Sequence, residues 1–572
     1  MNRSDILATL KSTPEISVLI VGDGINGIGT FRDLALNGVD VLLVDRGDFC
    51  SGTSSASSHM AHGGIRYLEN GEFRLVREAV QERNRLLQNA PHIVKPLPTT
   101  VPIFRYLSGL WNAPLKFLGR LDRPTERGSI IIKLGLLMYD AYTGRSRAVP
   151  RHQFLSRAAS LKRWSQLNPG IVNTATYYDG LISNPERLAM ELVLDAEAEG
   201  PAARALNYVS MISGEKASVM LRDELTDETF EVRPKLLINA AGAWIDLTNH
   251  QLGLSTRYIG GTKGSHLVLD HPELRAAIGE HEFFFENKDG RIVLIFPLFD
   301  RVLVGTSDIR IDNPDEARCT DEEAEYFLEM IARVFPAIKV SPAHIVFRFS
   351  GVRPLASSNG KSTGQYSRDH SIEVLSGEWT NLTFPVYSLV GGKWTSFRAF
   401  AEQVTDKALA FLGRTRQKQT RDLPIGGGRS FSTDITEQAR QIDALTAWTG
   451  LDKSILQELY SRYGSRTEAV ATFMKRAEDA PLKSWPGMTR REIAFLGLHE
   501  KIIHLDDLIL RRSMLAMLGH STPERIEELA EVLGESLGWS TEQQKTEAAR
   551  TLRLLAERHS VRFDAGGRIP SL

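Results

Sequence analysis

A glycine-rich turn near the N-terminus carries a clear chemical signal in this 572-residue chain. Three glycines separate an apolar run from a stretch of helical periodicity, and they are Gly22, Gly24 and Gly27. Such a turn allows a sharp strand-to-helix connection, a close approach of a pyrophosphate to the backbone, and tight helix–strand packing. Asp45 ends the next apolar run, where an acid accepts hydrogen bonds from an adenosine ribose. The pattern predicts a βαβ unit that binds a dinucleotide, and by itself it does not distinguish FAD from NAD.

The composition is that of a soluble globular protein, with 42% hydrophobic and 24% charged residues and a net charge of -1. The near-neutral balance argues against a nucleic-acid partner. The two cysteines, Cys50 and Cys319, have no spacing that predicts a disulfide or a metal site, so a reducing compartment is expected. No signal peptide and no apolar run of about 18 residues is found, so no membrane-spanning helix is predicted.

The length predicts two or three domains. Alternating strand and helix patterns cover the first three-quarters of the chain, and the remainder has helical periodicity. A glycine cluster at 426–428 is interpreted as a linker between them. The predicted division is a polar leader at 1–15, an oxidoreductase region at 16–425, a helical C-terminal domain at 426–564 and a frayed tail at 565–572.

Eight sequence blocks occur in a fixed order between residues 16 and 410. They are GTSSASS (52–58), HGGIRYL (62–68), FRLVREA (73–79), NAAGAW (239–244), KGSH (263–266), GTSD (305–308), SGVRPL (350–355) and GGKWT (391–395). Together they resemble the family of FAD-dependent, respiratory glycerol-3-phosphate dehydrogenases rather than the NAD-linked enzymes. The resemblance therefore selects FAD as the expected cofactor.

The resemblance implies an α/β (α+β) fold like that of D-amino-acid oxidase, with a Rossmann-like FAD-binding domain, an antiparallel substrate domain and the helical C-terminal domain. The expected FAD-binding segments are about 16–105, 175–250 and 345–425, interleaved with substrate-domain segments at about 106–174 and 251–344. Besides the glycine turn and Asp45, the implied cofactor-binding residues are Thr53, Ser54, Ser55, His62, Gly63, Gly64, Gly242, Gly391, Gly392 and Lys393.

The resemblance also implies a substrate site for a small phosphorylated polyol. The matching positions are Arg66, Tyr67, His266, Arg353, Arg368 and Lys393. Arginine offers a planar set of donors that matches phosphate oxygens, so Arg66, Tyr67, Arg353 and Arg368 are expected to hold the phosphate. His266 is the natural base for the hydroxyl proton, with Arg353 and Lys393 as stabilisers of developing negative charge. The sequence leaves open which of these three groups is the base.

The implied reaction oxidises sn-glycerol 3-phosphate to dihydroxyacetone phosphate and passes electrons to quinone. Two departures from the family pattern, Asp23 within the glycine turn and His59 where a lysine is usual, keep alternatives open. These are another polyol phosphate, such as a tetritol phosphate, oxygen as the acceptor, and a flavin-binding protein without catalysis. A homodimer is also left open.

A basic and aromatic segment predicts contact with an anionic membrane surface. Residues 101–151 contain nine Lys or Arg against three acids, and an apolar helix is predicted around 130–138. A solvated basic face over an ordinary packed helix is an equally good interpretation. The expected location is cytoplasmic, with peripheral attachment to the inner face of the membrane. In the C-terminal region, Asp506, Asp507, Arg511 and Arg512 are interpreted as structural ion pairs on a buried helix.

Overall fold

The computed structural model describes residues 2–65, 72–106, 129–143, 148–287, 292–357, 369–377 and 380–563. Three predicted substrate residues, Arg66, Tyr67 and Arg368, lie outside the described residues, as does the predicted tail at 565–572. Residues 107–128 and 144–147 of the basic segment at 101–151 also lie outside them.

The strands are labelled in chain order. They are β1 (Glu15–Val21), β2 (Val41–Val44), β3 (Met60–Ala61), β4 (Val94–Ile103), β5 (Gln153–Ser156), β6 (Asn173–Ile182), β7 (Ala203–Leu206), β8 (Val209–Glu215), β9 (Ser218–Asp223), β10 (Thr229–Asn239), β11 (Thr262–Leu269), β12 (Glu282–Glu286), β13 (Ile292–Leu298), β14 (Arg301–Gly305), β15 (Ile309–Arg310), β16 (Ile345–Arg353), β17 (Ser371–Leu375) and β18 (Val386–Val390).

The helices are labelled in the same way. They are α1 (Arg3–Ser12), α2 (Ile25–Leu36), α3 (Phe73–Asn89), α4 (Ser129–Thr143), α5 (Arg157–Arg163), α6 (Pro185–Glu197), α7 (Ile245–Gln251), α8 (Pro272–Ile278), α9 (Asp321–Val334), α10 (Phe397–Phe411), α11 (Ile435–Thr449), α12 (Lys453–Tyr463), α13 (Thr467–Met474), α14 (Arg490–His499), α15 (Leu505–Asp507), α16 (Pro523–Leu537) and α17 (Thr541–His559). The short α15 continues into a π-helical turn, Leu508–Arg512. No helix in the described ranges is both long and apolar enough to cross a membrane.

The first sheet contains the predicted dinucleotide unit. Among the described residues it has eight strands, and the parallel order β18-β10-β1-β2-β7 forms its centre. All four residues of β2 and the last four of β1 are buried, as expected for strands covered on both faces. Because β1, β2 and β10 are parallel neighbours, their carboxyl ends meet at the edge where the glycine turn lies.

The second sheet has ten strands among the described residues and is antiparallel except where β12 pairs with β4. In its part nearest the predicted substrate residues, β11 lies between β14 and β16. The strands β4, β6 and β16 belong to this sheet, although the expected segment limits put most of each with the FAD-binding part. The alternation of a half-buried strand is the same in either sheet, so the sequence pattern did not reveal their membership.

Two parts of the chain pack more closely than their composition suggests. The predicted polar leader contains helix α1, whose Ile6 and Leu10 are buried against the first sheet. The predicted linker at Gly426–Gly428 is a buried turn. A Cβ at Gly427 would lie 1.9 Å from the carbonyl oxygen of Tyr463, and the Gly427 N–H donates to Glu191 at 3.1 Å. The glycines therefore serve close packing rather than flexibility.

The helical C-terminal region shares a hydrophobic core with the second sheet. One buried cluster contains Phe296 of β13 and Phe347 of β16 together with Leu459 of α12 and Leu533 of α16. The sheet therefore buries one face against these helices, and the two parts stabilise each other through apolar burial.

Candidate functional site

The glycine turn connects β1 to α2 through backbone contacts that exclude side chains. Gly22 has a φ of +107°, and a Cβ placed there would lie 2.6 Å from the backbone of Ala240. A Cβ at Gly27 would lie 1.9 Å from the carbonyl oxygen of Gly22. A Cβ at Gly24 would come within 3.3 Å of the Ser54 hydroxyl. These close approaches explain the three glycines and match a pyrophosphate-binding turn.

Asp45 follows β2 directly and lies against this turn. One carboxylate oxygen accepts the backbone N–H of Asp23 at 3.0 Å, and the other accepts the N–H of Gly47 at 2.9 Å. The predicted ribose-binding acid is therefore held at the dinucleotide site by backbone donors.

Asp23, the departure within the turn, is buried, with an exposed fraction of 1%. Its Oδ1 accepts the Cys50 N–H at 3.2 Å, while its Oδ2 has no hydrogen-bond partner among the described residues. Burial raises the pKa of Asp23 well above its ordinary value, and the negative charges of Asp45 and Asp48 raise it further. The carboxyl group therefore keeps its proton to a higher pH than an exposed aspartate.

The loop at 53–55 covers the N-terminus of α2. The Ser54 hydroxyl accepts the Ile25 N–H at 2.9 Å, and the Thr53 hydroxyl donates to the carbonyl of Val352 in β16 at 2.8 Å. Ser55 donates its hydroxyl to a carbonyl within the loop at 2.9 Å. The loop thus joins the glycine turn to a strand of the second sheet.

Gly391 and Gly392 lie against the first turn of α2 and have φ values of +79° and +87°. The Asn26 amide donates to the Gly391 carbonyl at 3.0 Å, and a Cβ at Gly392 would lie 2.4 Å from that amide. Lys393 comes next and is half-buried, and α10 begins at Phe397. Helix α10 therefore begins four residues after Lys393.

The segment 391–395 also contacts the loop that follows the glycine turn. The Trp394 indole donates to the Ser54 carbonyl at 2.9 Å, and the Thr395 hydroxyl accepts the His62 N–H at 3.0 Å. Gly242, at the carboxyl end of β10, has a φ of +57° and opens a short 3-10 turn. The predicted cofactor residues therefore surround the same edge of the first sheet, although their individual roles remain predictions.

A buried network of polar side chains fixes the position of Gly63 through hydrogen bonds. Its N–H donates to Asp179 of β6 at 2.8 Å, and the Tyr139 hydroxyl donates to the same carboxylate oxygen at 2.8 Å. A Cβ at Gly63 would lie 2.0 Å from that hydroxyl. Arg83 donates to the Tyr139 hydroxyl at 2.7 Å and lies 3.6 Å from Asp179. The network fixes the glycine loop and explains why only glycine fits at position 63.

His266 lies on β11, buried, with its ring stacked on Phe349 of β16 at 4.7 Å. Its Nε2 is 2.8 Å from the Ser58 hydroxyl, and its Nδ1 has no hydrogen-bond partner among the described residues. Burial lowers the pKa of His266 well below its ordinary value, and Arg353 and His59 lower it further. The ring is therefore neutral at physiological pH and has one nitrogen lone pair that can accept a proton.

Arg353 ends β16, and its guanidinium crosses β11, where a Cβ at Gly264 would lie 2.3 Å from it. It donates to the Thr306 hydroxyl at 2.9 Å and to the Ser307 carbonyl at 3.1 Å, and it lies 3.3 Å from Asp308. The GTSD block thus orients the guanidinium, and the positive charge remains close enough to His266 to lower its pKa.

His59, the second departure, is completely buried, with a φ of +53°. Burial lowers its pKa to about 4, so it is uncharged at neutral pH. The positive charge that the family usually carries at this position is therefore absent here.

The sequence did not reveal several groups that hold the predicted residues. Ser58 and Phe349 contact His266, and Thr306 and Asp308 contact Arg353. Tyr139, Arg83 and Asp179 form the network that fixes Gly63. Ser58 and Thr306 lie within the quoted blocks, but Tyr139, Arg83 and Asp179 carry no local signal because their contacts come from distant segments.

The described residues fit a bound dinucleotide. The turn has the close backbone packing that a pyrophosphate site requires, and an acid lies at the end of β2. Asn26 also has a buried amide oxygen without a hydrogen-bond partner in the described part of the chain, at the start of α2. The acid at position 23 does not prevent the fit as long as it keeps its proton.

Comparison with known proteins agrees with this geometry. The profile of the family described as FAD dependent oxidoreductase matches residues 17–387, and that of the C-terminal domain of alpha-glycerophosphate oxidase matches residues 418–544. A glycerol-3-phosphate dehydrogenase of Synechocystis sp. is 31% identical and covers 93% of this chain and 96% of its own length. One from Pseudomonas aeruginosa is 30% identical, over 87% and 92%.

A solved structure supports the predicted fold class. The glycerol-3-phosphate dehydrogenase from Bacillus halodurans complexed with FAD has a TM-score of 0.73 at 22% identity, and the match covers 97% of both chains. This likeness confirms the predicted fold of FAD-binding, antiparallel and helical parts. The chain belongs to the family of FAD-dependent oxidoreductases and, within it, to the glycerol-3-phosphate dehydrogenases.

Proposed function

We propose that this chain oxidises sn-glycerol 3-phosphate to dihydroxyacetone phosphate and passes the electrons to membrane quinone. The observation that carries the proposal is the position of one loop, residues 53–58. It contacts the glycine turn through Ser54, the strand of Arg353 through Thr53, and His266 through Ser58. This loop therefore contacts the dinucleotide site, the predicted substrate residue His266 and the strand that carries Arg353. FAD, when bound, supplies the acceptor for a hydride.

The chain contributes fixed charge and a proton acceptor. Arg353, oriented by Thr306 and Ser307, attracts the phosphate or the oxygen that becomes negative as the alcohol is oxidised. Lys393 supplies a second cation beside Gly392. In the reaction the secondary carbon loses its hydrogen with the bonding electron pair, and the hydroxyl proton passes to a base, which leaves a ketone.

We assign the base to His266. The His266 ring is neutral and keeps a nitrogen lone pair, so it can accept a proton. When the Nε2–H donates to the Ser58 hydroxyl, Nδ1 is the unprotonated nitrogen, and it receives the substrate proton. Ser58 then holds the ring in the required orientation. Arg66, Tyr67 and Arg368 are proposed to complete the phosphate site on the strength of the family pattern alone.

The substrate is tested by anaerobic reduction of the purified yellow protein. Glycerol 3-phosphate should bleach the flavin absorbance in a stopped-flow experiment, while glycerol at the same concentration should not. A panel that adds tetritol phosphates distinguishes the substrates. If only a tetritol phosphate bleaches the flavin, the substrate is wrong and the mechanism remains. If no polyol phosphate does, a non-catalytic flavoprotein is the better explanation.

We also propose that α4 attaches the protein to a membrane surface near the quinone. Ile130, Leu134 and Leu137 are 51%, 61% and 52% exposed, and their spacing puts them on one face of the helix. Leu136 and Tyr139, on the opposite face, are buried. An exposed apolar stripe next to a basic, aromatic segment is typical of a helix that lies in the interface of a membrane.

A further inference from the structure

A buried cluster of charged side chains connects the C-terminal helices to the loop that follows β2. Asp48 lies in this loop and its side chain is fully buried. It accepts hydrogen bonds from Arg511 at 2.5 Å and from two nitrogens of Arg512 at 2.8 and 2.9 Å. Asn207 adds a fourth donor at 2.9 Å. Both oxygens of Asp48 are therefore occupied, chiefly by the C-terminal region.

The two arginines are themselves fixed within the C-terminal region. Arg511 also pairs with Asp507 at 2.6 Å and with Asp506 at 3.2 Å, and Arg512 donates to the Glu500 carbonyl at 3.0 Å. Charges this deeply buried are stable only when they are paired and hydrogen-bonded, so the arginines hold Asp48 in one position.

The loop that contains Asp48 is also bonded to the glycine turn on both sides. Before Asp48, Asp45 accepts the Asp23 N–H at 3.0 Å. After it, the Cys50 N–H is 3.2 Å from both the carbonyl and the carboxylate of Asp23. A displacement of Asp48 therefore changes the position of the predicted ribose-binding acid and of the turn itself.

We propose that the C-terminal domain contributes to FAD binding, with Arg511 and Arg512 as positioning residues that act through Asp48. Their contacts with Asp48, rather than the docking of the C-terminal helices as a whole, hold the loop in the form that binds the adenosine half of FAD. By thermodynamic linkage, FAD binding must then stabilise these contacts by the same factor. A purely structural ion pair would strengthen the fold without changing the affinity for FAD.

The chain offers a matched control. Arg187 of α6 pairs with Glu500 through two hydrogen bonds of 2.5 Å and is equally buried. It joins the same two parts of the molecule, but it lies on α6 rather than on the loop after β2. Arg512→Lys and Arg187→Lys each keep the charge and lose the planar pair of donors.

The variants are compared by titrating apoprotein with FAD and following flavin fluorescence, with thermal unfolding measured in parallel. Arg512→Lys should weaken FAD binding by about tenfold, a typical coupling between linked sites. Both variants should lower the unfolding temperature by similar amounts. Arg187→Lys should leave the dissociation constant for FAD unchanged. Equal FAD affinities in the two variants would overturn the proposal.

Wild-type protein provides a second measurement that does not depend on the folding of a variant. Amide hydrogen exchange at 503–513 should slow when FAD is added to apoprotein, while exchange in α11, which packs against α12 and α13, should change less. If the 503–513 segment exchanges at the same rate with and without FAD, the linkage does not exist.

Discussion

Asp23 brings a third acid to a turn that must accept a negatively charged pyrophosphate. Its raised pKa means that the folded protein holds this proton more tightly than the unfolded chain does. The free energy of unfolding therefore falls as the pH rises from about 3.8, the ordinary value, towards the raised pKa. The neighbouring charges are Asp45 and Asp48, and Arg511 and Arg512 neutralise only the latter.

Asp23→Asn tests this account. In the wild type the dissociation constant for FAD should rise with pH through the raised pKa, since ionised Asp23 repels the pyrophosphate. Asparagine at position 23 cannot ionise, so the affinity of the variant should depend less on pH over the same range. Asp45, whose pKa burial also raises, remains in the variant. The measurement is a fluorescence titration with FAD at several pH values. Parallel pH curves for the two proteins would rule out Asp23 as the titrating group.

Arg353 is expected to act on the substrate and not on the cofactor. Arg353→Lys keeps the charge but loses the planar donors, so flavin reduction should slow by about 100-fold while the FAD content is retained. Arg348 is the matched control, because it lies on the same strand, on the opposite face, and pairs with Asp321. In Arg348→Lys the substrate should reduce the flavin at close to the wild-type rate. Equal slowing in both variants would contradict the role assigned to Arg353.

At the scale of elements, the position of the loop that contains Gly63 depends on α4 through Tyr139. Gly63→Ala would place a methyl group 2.0 Å from the Tyr139 hydroxyl, so the loop must move and the bound FAD per chain should fall. Gly135→Ala, in the same helix, meets no atom within 4 Å and should stabilise α4 by about 0.5–1 kcal/mol. Absorbance at the flavin maximum and urea unfolding measure the two effects. Full FAD occupancy in Gly63→Ala would argue against this constraint.

The exposed face of α4 makes a separate prediction about membranes. Replacing Leu134 and Leu137 by glutamine should abolish flotation with anionic liposomes, since these side chains are 61% and 52% exposed. Leu498→Gln is the control, because Leu498 is similarly exposed, at 53%, but lies in the C-terminal region. If the double variant floats as well as the control, α4 is not the membrane contact.

At the scale of the molecule, the C-terminal helices and the second sheet share one hydrophobic cluster, and buried ion pairs join those helices to the FAD-binding part. We therefore expect a single calorimetric unfolding transition. FAD at 100 times its dissociation constant should stabilise it by about 2.7 kcal/mol. Two transitions, one of them insensitive to FAD, would show that the C-terminal region unfolds independently.

Local spacing was sufficient for the glycine turn, the strands around it and the helix after it. GxGxxG, the apolar runs and Asp45 lie within about 30 residues, and their geometry follows from steric limits on the backbone. The eight sequence blocks indicated the family, and the family indicated FAD as the cofactor. The departures at Asp23 and His59 were also visible in the sequence, although their burial and its effect on their pKa values were not.

Tertiary structure decided which distant groups meet. Ser58 and His266 are 208 residues apart, and Asp48 and Arg512 are 464 apart. Each pair forms only because the sheets and the C-terminal helices pack in one arrangement. The residues next to each partner in the sequence do not indicate that arrangement. For the same reason the C-terminal arginines could be recognised from sequence as ion-pair formers, but their partner in the loop after β2 could not.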